Sequence, residues 1–557
     1  MSMIGRQMLG KIGFRAEQLL GQVCDAEGRE RYLGGKDCVL AGDPKQCQPV
    51  GDDALYTEGA YSGKGKNMPK GASSRPAGAW SPQKFHHHSH EIMRTFQDVS
   101  VLRQVHRYED ENADIPEEKK AAYRKDAKRF LEVTRGMADC TWEERDHAWL
   151  SARNRSVLQQ TEEGRRELEK FKDAPLLMDG RKDSAVTAAR GAIAVNLRKL
   201  QELAVRTGKP IAGLCAFHDK PEDFENPDKV SSDEFRGMEA EFLVCEGARV
   251  LLTQNLWVEA GLMNGALGYV RGYMWPEGGD PHAVDAQGRP DKKRRAPLCV
   301  FVEFDDIKLQ SKDGRPLSFF PDDPERKNWV PIWRQKVSSN ETQDLSREQF
   351  PLQLAWALTH WKAQGMTLQK VRVHLSERTA KVPGIGFVAV TRVKHPWDLV
   401  FEEDLPDYRE FMSARRKPTY RARRRFELRQ EAAASRTLRK YGFCEADVWL
   451  PDERKAAADL LEALGHVRNE QRERLRDRRV RGDVGRKEQD ERRQGQDAYA
   501  YLWPDGGPNF ESILGAAVAE LAAHDEGRRS VFQSVAERLL DQTRVRRATA
   551  EEVDIGE

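Results

Sequence analysis

The chain has 557 residues, enough for three or four domains; 33% are charged and 39% hydrophobic, a polar balance that implies stretches of solvated helix. Lys and Arg number 92 against 90 Asp and Glu, so the net charge is only +2 and any nucleic-acid surface has to be local. The eight cysteines (24, 38, 47, 140, 215, 245, 299 and 444) form no CxxC pair, and a zinc site is not expected from them. No apolar run approaches the roughly 18 residues of a membrane span, and the first residues lack a signal-peptide layout.

In chain order, Ile4, Met8 and Ile12 recur every four residues, with Leu19 and Leu20 further on, which predicts a helix over 3–20. Cys38 to Ala41 reads as a short buried strand, running straight into Gly42-Asp43-Pro44. Residues 58–90 are rich in Gly, Ser, Pro and Lys and read as a surface loop; it contains His86, His87, His88 and His90 without a matching carboxylate or Cys frame. A strand is expected over 96–102 and helices over 116–135 and 183–205, the latter with Ile193, Leu197, Leu200 and Leu203 on one side. Strands follow at 250–252, 268–270 and 298–304, giving a small β-rich insertion over 247–345. Further elements are expected at 354–359, 371–375 and 398–401. Beyond residue 405 the chain is dense in Arg and Glu, and 414–430 and 467–495 read as solvated helix. The basic cluster Arg415, Arg416, Lys417, Arg421, Arg423, Arg424 and Arg425 leaves open a phosphate-binding or nuclear-import role.

Four segments carry candidate chemistry. In CVLAGDPKQCQPV (38–50), Asp43, Lys45 and Gln46 project from a loop after an apolar run, where polar groups can meet a phosphate and its metal. LRQVHR (102–107) follows VSV and offers Arg107. GARVLLTQNLWVEAGLMNGALG (247–268) places a strand before Asn264-Gly265, a strong turn signal. Finally, ALTHWKAQGMTL (357–368) sets Thr359, Lys362, Gln364 and Thr367 on a loop after an apolar element, and GFVAVTRVK (386–394) holds Arg392 on an apolar one. An arginine so held can be aimed at a phosphate.

In this order the segments resemble superfamily 1 DNA helicases of the eukaryotic Pif type, relatives of bacterial RecD. GDPKQCQPV resembles motif III, LRQVHR motif IV, ALTHWKAQGMTL motif V and FVAVTRVK motif VI; the resemblance spans roughly 1–404. Three differences stand out: Cys47 for a usual Leu, Trp361 for a usual His, and Ala363 for a usual Ser. Trp361 would instead stack on a base or pack against the neighbouring domain.

The resemblance implies an α/β fold of RecA-like (P-loop NTPase-type) parallel-sheet domains with a small β-barrel insertion and a helical C-terminal extension. Its divisions would be 1–95, the end of a first RecA-like domain; 96–246 and 346–404, a second one; 247–345, the barrel; and 405–557, the extension. It also implies an ATP-dependent DNA helicase, 5′ to 3′, acting on single-stranded and forked or structured duplex DNA in replication, repair, recombination or telomere maintenance, in nucleus or mitochondrion. Asp43, Gln46, Arg107 and Arg392 would serve catalysis, with Gly42, Lys45, Gln364 and Gly365 toward ATP and Mg²⁺. Thr359, Trp361, Lys362, Thr367 and Asn264 would face DNA.

The sequence contains no GxxxxGK followed by Ser or Thr, the loop that cradles phosphates. Gly59 to Gly65 is the nearest run and has the wrong spacing. Met1-Ser2-Met3 matches the residues that follow the family's Asp-Glu of motif II, so the expectation is a helicase whose front is absent and which hydrolyses no ATP alone. A short DNA-binding product without catalysis, or the helicase part of a mobile element's replication protein, are the alternatives.

Overall fold

A computed structural model describes residues 4–57 except 50, 81–102, 105, 117–180, 191–220 and 226–442 apart from scattered positions within 281–316 and residues 340–343, plus isolated positions from 459 to 536. The chain divides into two compact units, residues 1–112 with 415–557, and residues 113–414.

The first unit is built on a helix pair, α1 (Arg6–Leu20) and α2 (Pro82–Thr95). Gly5, at the N-cap of α1, offers no capping side chain, and Asp52 supplies one from a distant turn. Its carboxylate accepts from the Gln7 and Met8 amides at 3.2 and 3.1 Å and places negative charge at the helix start. The buried face of α1 is not the Met8/Ile12 stripe, whose members are 52% and 43% exposed; it is Arg6, Leu9, Gly10 and Gly13. A Cβ on Gly10 would stand 1.9 Å from the Phe85 carbonyl oxygen, and one on Gly13 would stand 2.3 Å from Ile92 Cδ1. Close backbone approach therefore outranks the apolar period in choosing the face.

The segment expected to be loop through residue 90 becomes helical at Pro82. Ser81 caps it, its hydroxyl accepting from the Lys84 amide at 3.2 Å, and Pro82 fits the first turn, where no donor is needed. The histidines thus lie on a packed helix. His86 and His88 are buried, His86 Nε2 stands 3.1 Å and His90 Nε2 2.6 Å from the Arg6 guanidinium, and His88 Nε2 is 3.1 Å from Glu17. A cluster that looked like a loop decoration is the polar seam of a helix pair.

Cys38–Ala41 and 96–102 form no strands. Val39 is 91% and Leu102 93% exposed, and no ladder partner exists for either among the described residues. Apolar runs of four are ambiguous by pattern alone. The 96–102 stretch instead runs beside the helix Pro418–Lys440: the Val99 amide donates to Thr437 Oγ1 at 2.9 Å, and Lys440 reaches Asp98 at 2.7 Å. That helix is not simply solvated. Tyr420, Ala422, Arg423 and Phe426 are buried, with Ala422 and Phe426 against Ala54 and Tyr56. Arg423 is 1% exposed and stands 3.3 Å from Glu427, so it is withdrawn from the basic cluster. A small hairpin, β1 (Val23–Cys24) with β2 (Glu30–Arg31), completes the unit.

The second unit begins with α3 (Glu117–Asp139) and three short helices before β3 (Leu176–Met178) and α4 (Ala192–Thr207). Then come β4 (Ala212–Cys215), β5 (Phe217–Asp219), β6 (Glu241–Val244), β7 (Arg249–Leu252), β8 (Leu267–Met274) and β9 (Cys299–Phe304). After them lie β10 (Trp329–Trp333), β11 (Gln335–Ser338), β12 (Ser346–Gln349), β13 (Leu352–Leu354), β14 (Ala357–Thr359), β15 (Val371–Val373), α5 (Ile385–Val390) and β16 (Leu399–Phe401).

Strands β14, β3, β15 and β16 make a parallel sheet in that order. Their runs (ALT, LLM, VRV, LVF) are buried almost throughout, as expected of a sheet covered on both faces. Buried Asn196 of α4 ties the helix to this sheet, donating to Leu354 and Ala357 carbonyls at 3.1 and 2.9 Å and accepting from the Ala357 amide at 2.7 Å.

The antiparallel region runs from Ala212 to Leu354, wider than 247–345, because β5 pairs with β12 and β4 with β6. Its largest sheet has the order β10-β9-β8-β7-β13. Val250, Leu252, Val270, Val300, Val302, Val330 and Ile332 fill its core, alternating along the strands. Arg347 on β12 is fully buried and satisfied: it donates to His218 Nε2, Met238 O, Pro227 O and Val230 O at 2.9–3.0 Å. It pins the 227–238 segment to the sheet. No helix among the described residues is long and apolar enough to cross a membrane.

Two outcomes follow. Gly10→Ala drives a methyl into a backbone carbonyl and should lower stability by about 1–3 kcal/mol, read from urea unfolding. Burial, and then the Arg6 charge, push His86 and His90 below the ordinary imidazole pKa, while Asp53 opposes this at His86. The unfolded chain therefore binds protons that the folded one refuses. This stability is complete above about pH 6.5 and drains as pH falls below it. Thermal melts from pH 8 to 5 should show a falling Tm, and His86→Gln with His90→Gln should flatten that slope.

Candidate nucleic-acid interface

Ligands of open α/β sheets sit at the carboxyl ends of the strands. In the second unit those ends carry Asp179 after β3, the 360–368 loop after β14, and Ser376 after β15. The loop opens as a tight turn. Thr359 is 8% exposed; its Oγ1 accepts from the Lys362 amide at 3.3 Å and its carbonyl from the Ala363 amide at 3.2 Å. Gln364, also buried, donates its amide to the Trp361 carbonyl at 3.2 Å. Gly365 has φ +89°, a left-handed backbone that favours glycine, and lies exposed with Thr367.

Arg392 holds this loop from behind. It is 2% exposed, and its guanidinium donates to the carbonyls of Val388 (2.7 Å), Ala363 (3.3 Å) and Met366 (3.1 Å) and to Thr391 Oγ1 (3.1 Å). Its own carbonyl accepts from the Leu368 amide at 2.7 Å. Its donors are thus directed at backbone oxygens of α5 and the loop.

From the side, Lys362 Nζ donates to Gln353 Oε1, whose amide nitrogen donates to the Gly237 carbonyl. The Asn264-Gly265 turn forms as expected, with Gly265 at φ +101°, and abuts the loop: a Cβ there would lie 3.5 Å from Met366 Cγ. The Asn264 amide is fixed by Asn255 Oδ1 at 2.8 Å, and its side chain is exposed. Of the residues expected at DNA, Asn264, Thr367, Trp361 and Lys362 therefore lie on one tethered patch, the first two exposed and the others half-buried. Thr359 lies beneath it.

Sequence reading missed Asp179 and His360. His360 is fully buried, with Nε2 3.2 Å from Asp179 Oδ1, while Asp179 Oδ2 also accepts from the hydroxyls of Ser376 and, at 3.2 Å, Thr379. Burial pushes the Asp179 carboxyl up, but these hydrogen bonds more than reverse it and hold it below the usual carboxylate range. The available signal was the polar ending of the apolar run PLLMD.

In the first unit Gly42 is exposed, Asp43 Oδ1 accepts from the Lys45 amide at 2.8 Å, and the Gln46 amide donates to the Asp43 carbonyl at 3.3 Å. Gln46 lines a shallow pocket with Pro44, Cys47, Gln48, Tyr56 and Phe426. Asp43 thus caps its own loop. With no glycine-rich cradle in the sequence, this donor set does not by itself fit a nucleoside triphosphate and Mg²⁺. Arg107 lies outside the described residues.

No family model matches the chain. Among curated proteins it is 30% identical over 148 residues to the human ATP-dependent DNA helicase PIF1, a match covering 27% of this chain and 17% of that protein. It is 32% identical over 148 residues to the rat protein, and 29% over 176 residues to that of Emericella nidulans, covering 17% and 21% of those proteins. Over this stretch the chain is similar to the Pif1 DNA helicases. The matched stretch spans about a fifth or less of these Pif1 relatives' length. The Pif1 crystal structure from Candida albicans aligns with 77% of this chain and 74% of its own, with TM-score 0.46 and 18% identity. A Bacteroides Pif1 in complex with ADP-AlF3 and ssDNA aligns with 74% of this chain and 70% of its own, with TM-score 0.38 and 16% identity.

Arg392→Ala would leave several buried carbonyls without donors, at about 1–3 kcal/mol each before relaxation. Urea unfolding should register a loss of that order, and hydrogen exchange should speed up first across 363–368.

Proposed function

We propose that this chain supplies the DNA-tracking and coupling part of an ATP-dependent DNA helicase that moves 5′ to 3′ on single-stranded DNA and opens forked or structured duplexes. The observation that carries the reading is the 360–368 loop, tethered from three directions at the carboxyl edge of a parallel sheet and abutted by the Asn264-Gly265 turn. In this reading residues 113–414 hold a RecA-like domain interrupted by the antiparallel region. Lys362 serves a phosphate, Asn264 and Thr367 flank the strand, and Trp361 offers an aromatic face to a base. Arg392 acts by setting the loop, and Gln46 and Asp43 await a nucleotide-binding partner surface. Work in replication, repair, recombination or telomere maintenance, in nucleus or mitochondrion, belongs to the same proposal.

A second reading is supported by the missing GxxxxGK loop: a DNA-binding chain that does not hydrolyse ATP by itself. Both predict that the purified 557-residue chain binds a fluorescent oligothymidylate with steep salt dependence. Lys362→Ala should weaken binding and reduce the salt slope by about one. DNA-stimulated phosphate release should be absent. Phosphate release by the chain alone overturns its inactivity, and loss of all oligonucleotide binding overturns the DNA reading.

A further inference from the structure

The Asp179–His360 contact is out of keeping with a simple core position. His360 extends the buried run Ala357-Leu358-Thr359, yet it is an imidazole with no accessible surface, and its Nδ1 has no hydrogen-bond partner. A buried polar atom left unpaired is destabilising, so an apolar residue would serve packing better. The other nitrogen explains its presence. Nε2 lies 3.2 Å from a carboxylate, an acceptor, so Nε2 donates to it. Asp179, at the end of β3, gathers donors from beyond the two strands that flank it: His360 after β14, and Ser376 with Thr379 after β15. The residue next to His360 is Trp361, and Lys362 follows.

We propose that Asp179 and His360 are positioning residues that fix the entry of the 360–367 loop, so that Trp361 and Lys362 meet a single-stranded phosphodiester backbone in a preset geometry. Arg392 anchors the exit of the same loop, and the Asp179–His360 pair anchors its start. This inference rests on the DNA reading above, and the test separates the two.

His360→Phe keeps ring volume and removes the donor; His360→Gln restores an N–H at the reach of Nε2. Asp179→Asn, which exchanges the ionised acceptor for an amide, is the second variant should the first fail to fold. Hydrogen exchange across 361–367 and affinity for fluorescent dT20 are measured on the full chain. The expected result is faster exchange and about tenfold weaker binding in His360→Phe and Asp179→Asn, with both returned toward wild type in His360→Gln. Unchanged exchange, or faster exchange with unchanged dT20 affinity, overturns the positioning role, as does a Gln variant no better than Phe. If the unsubstituted chain fails to bind dT20, the DNA reading falls and with it the proposed purpose of the pair.

Discussion

The second unit depends on one arrangement: a buried guanidinium whose donors are all directed at nearby oxygens, mainly of the backbone. Arg392 binds the last turn of α5 to the carbonyls at 363 and 366, converting a loop at the sheet edge into a fixed surface. A charge so deep is tolerable only because each donor finds a partner. Arg347 on β12 follows the same rule in the antiparallel region, where it pins the 227–238 segment between β5 and β6. Both arginines act as interior clamps.

Much of the second unit was legible in the sequence. Runs such as VRV and CVFVEF gave strands where expected and the helix Ala192–Thr207 overlaps the expected 183–205, whereas the strand Leu176–Met178 was not anticipated. The motif-like loop and the Asn264-Gly265 turn also formed where expected. Less legible was the extent of the antiparallel region, because the pairing of β5 with β12 joins residues more than a hundred positions apart. Periodicity says nothing about such partners.

The first unit was read less well, for identifiable reasons. The α1 face was chosen by two glycines, which carry no hydropathy signal, against a stripe of Met8 and Ile12 that stays exposed. The histidines were assigned to a loop because the Gly/Ser-rich run before them masked a Ser-Pro helix start. In the candidate site, Lys362, Thr367 and Asn264 could be named from motif order. Asp179 and His360 could not, since their link is a contact between neighbouring strands of a parallel sheet that lie 181 residues apart.

The glycine face of α1 has a consequence for how the unit assembles. Each interior glycine costs a helix about 1 kcal/mol relative to alanine, and α1 carries two in fifteen residues, at Gly10 and Gly13. Its N-terminal amides are capped by a carboxylate forty-five residues away rather than by a neighbour. Such a segment has little reason to be helical before Asp52 and α2 arrive. The helix therefore draws its stability from Asp52 and from α2 more than from its own sequence.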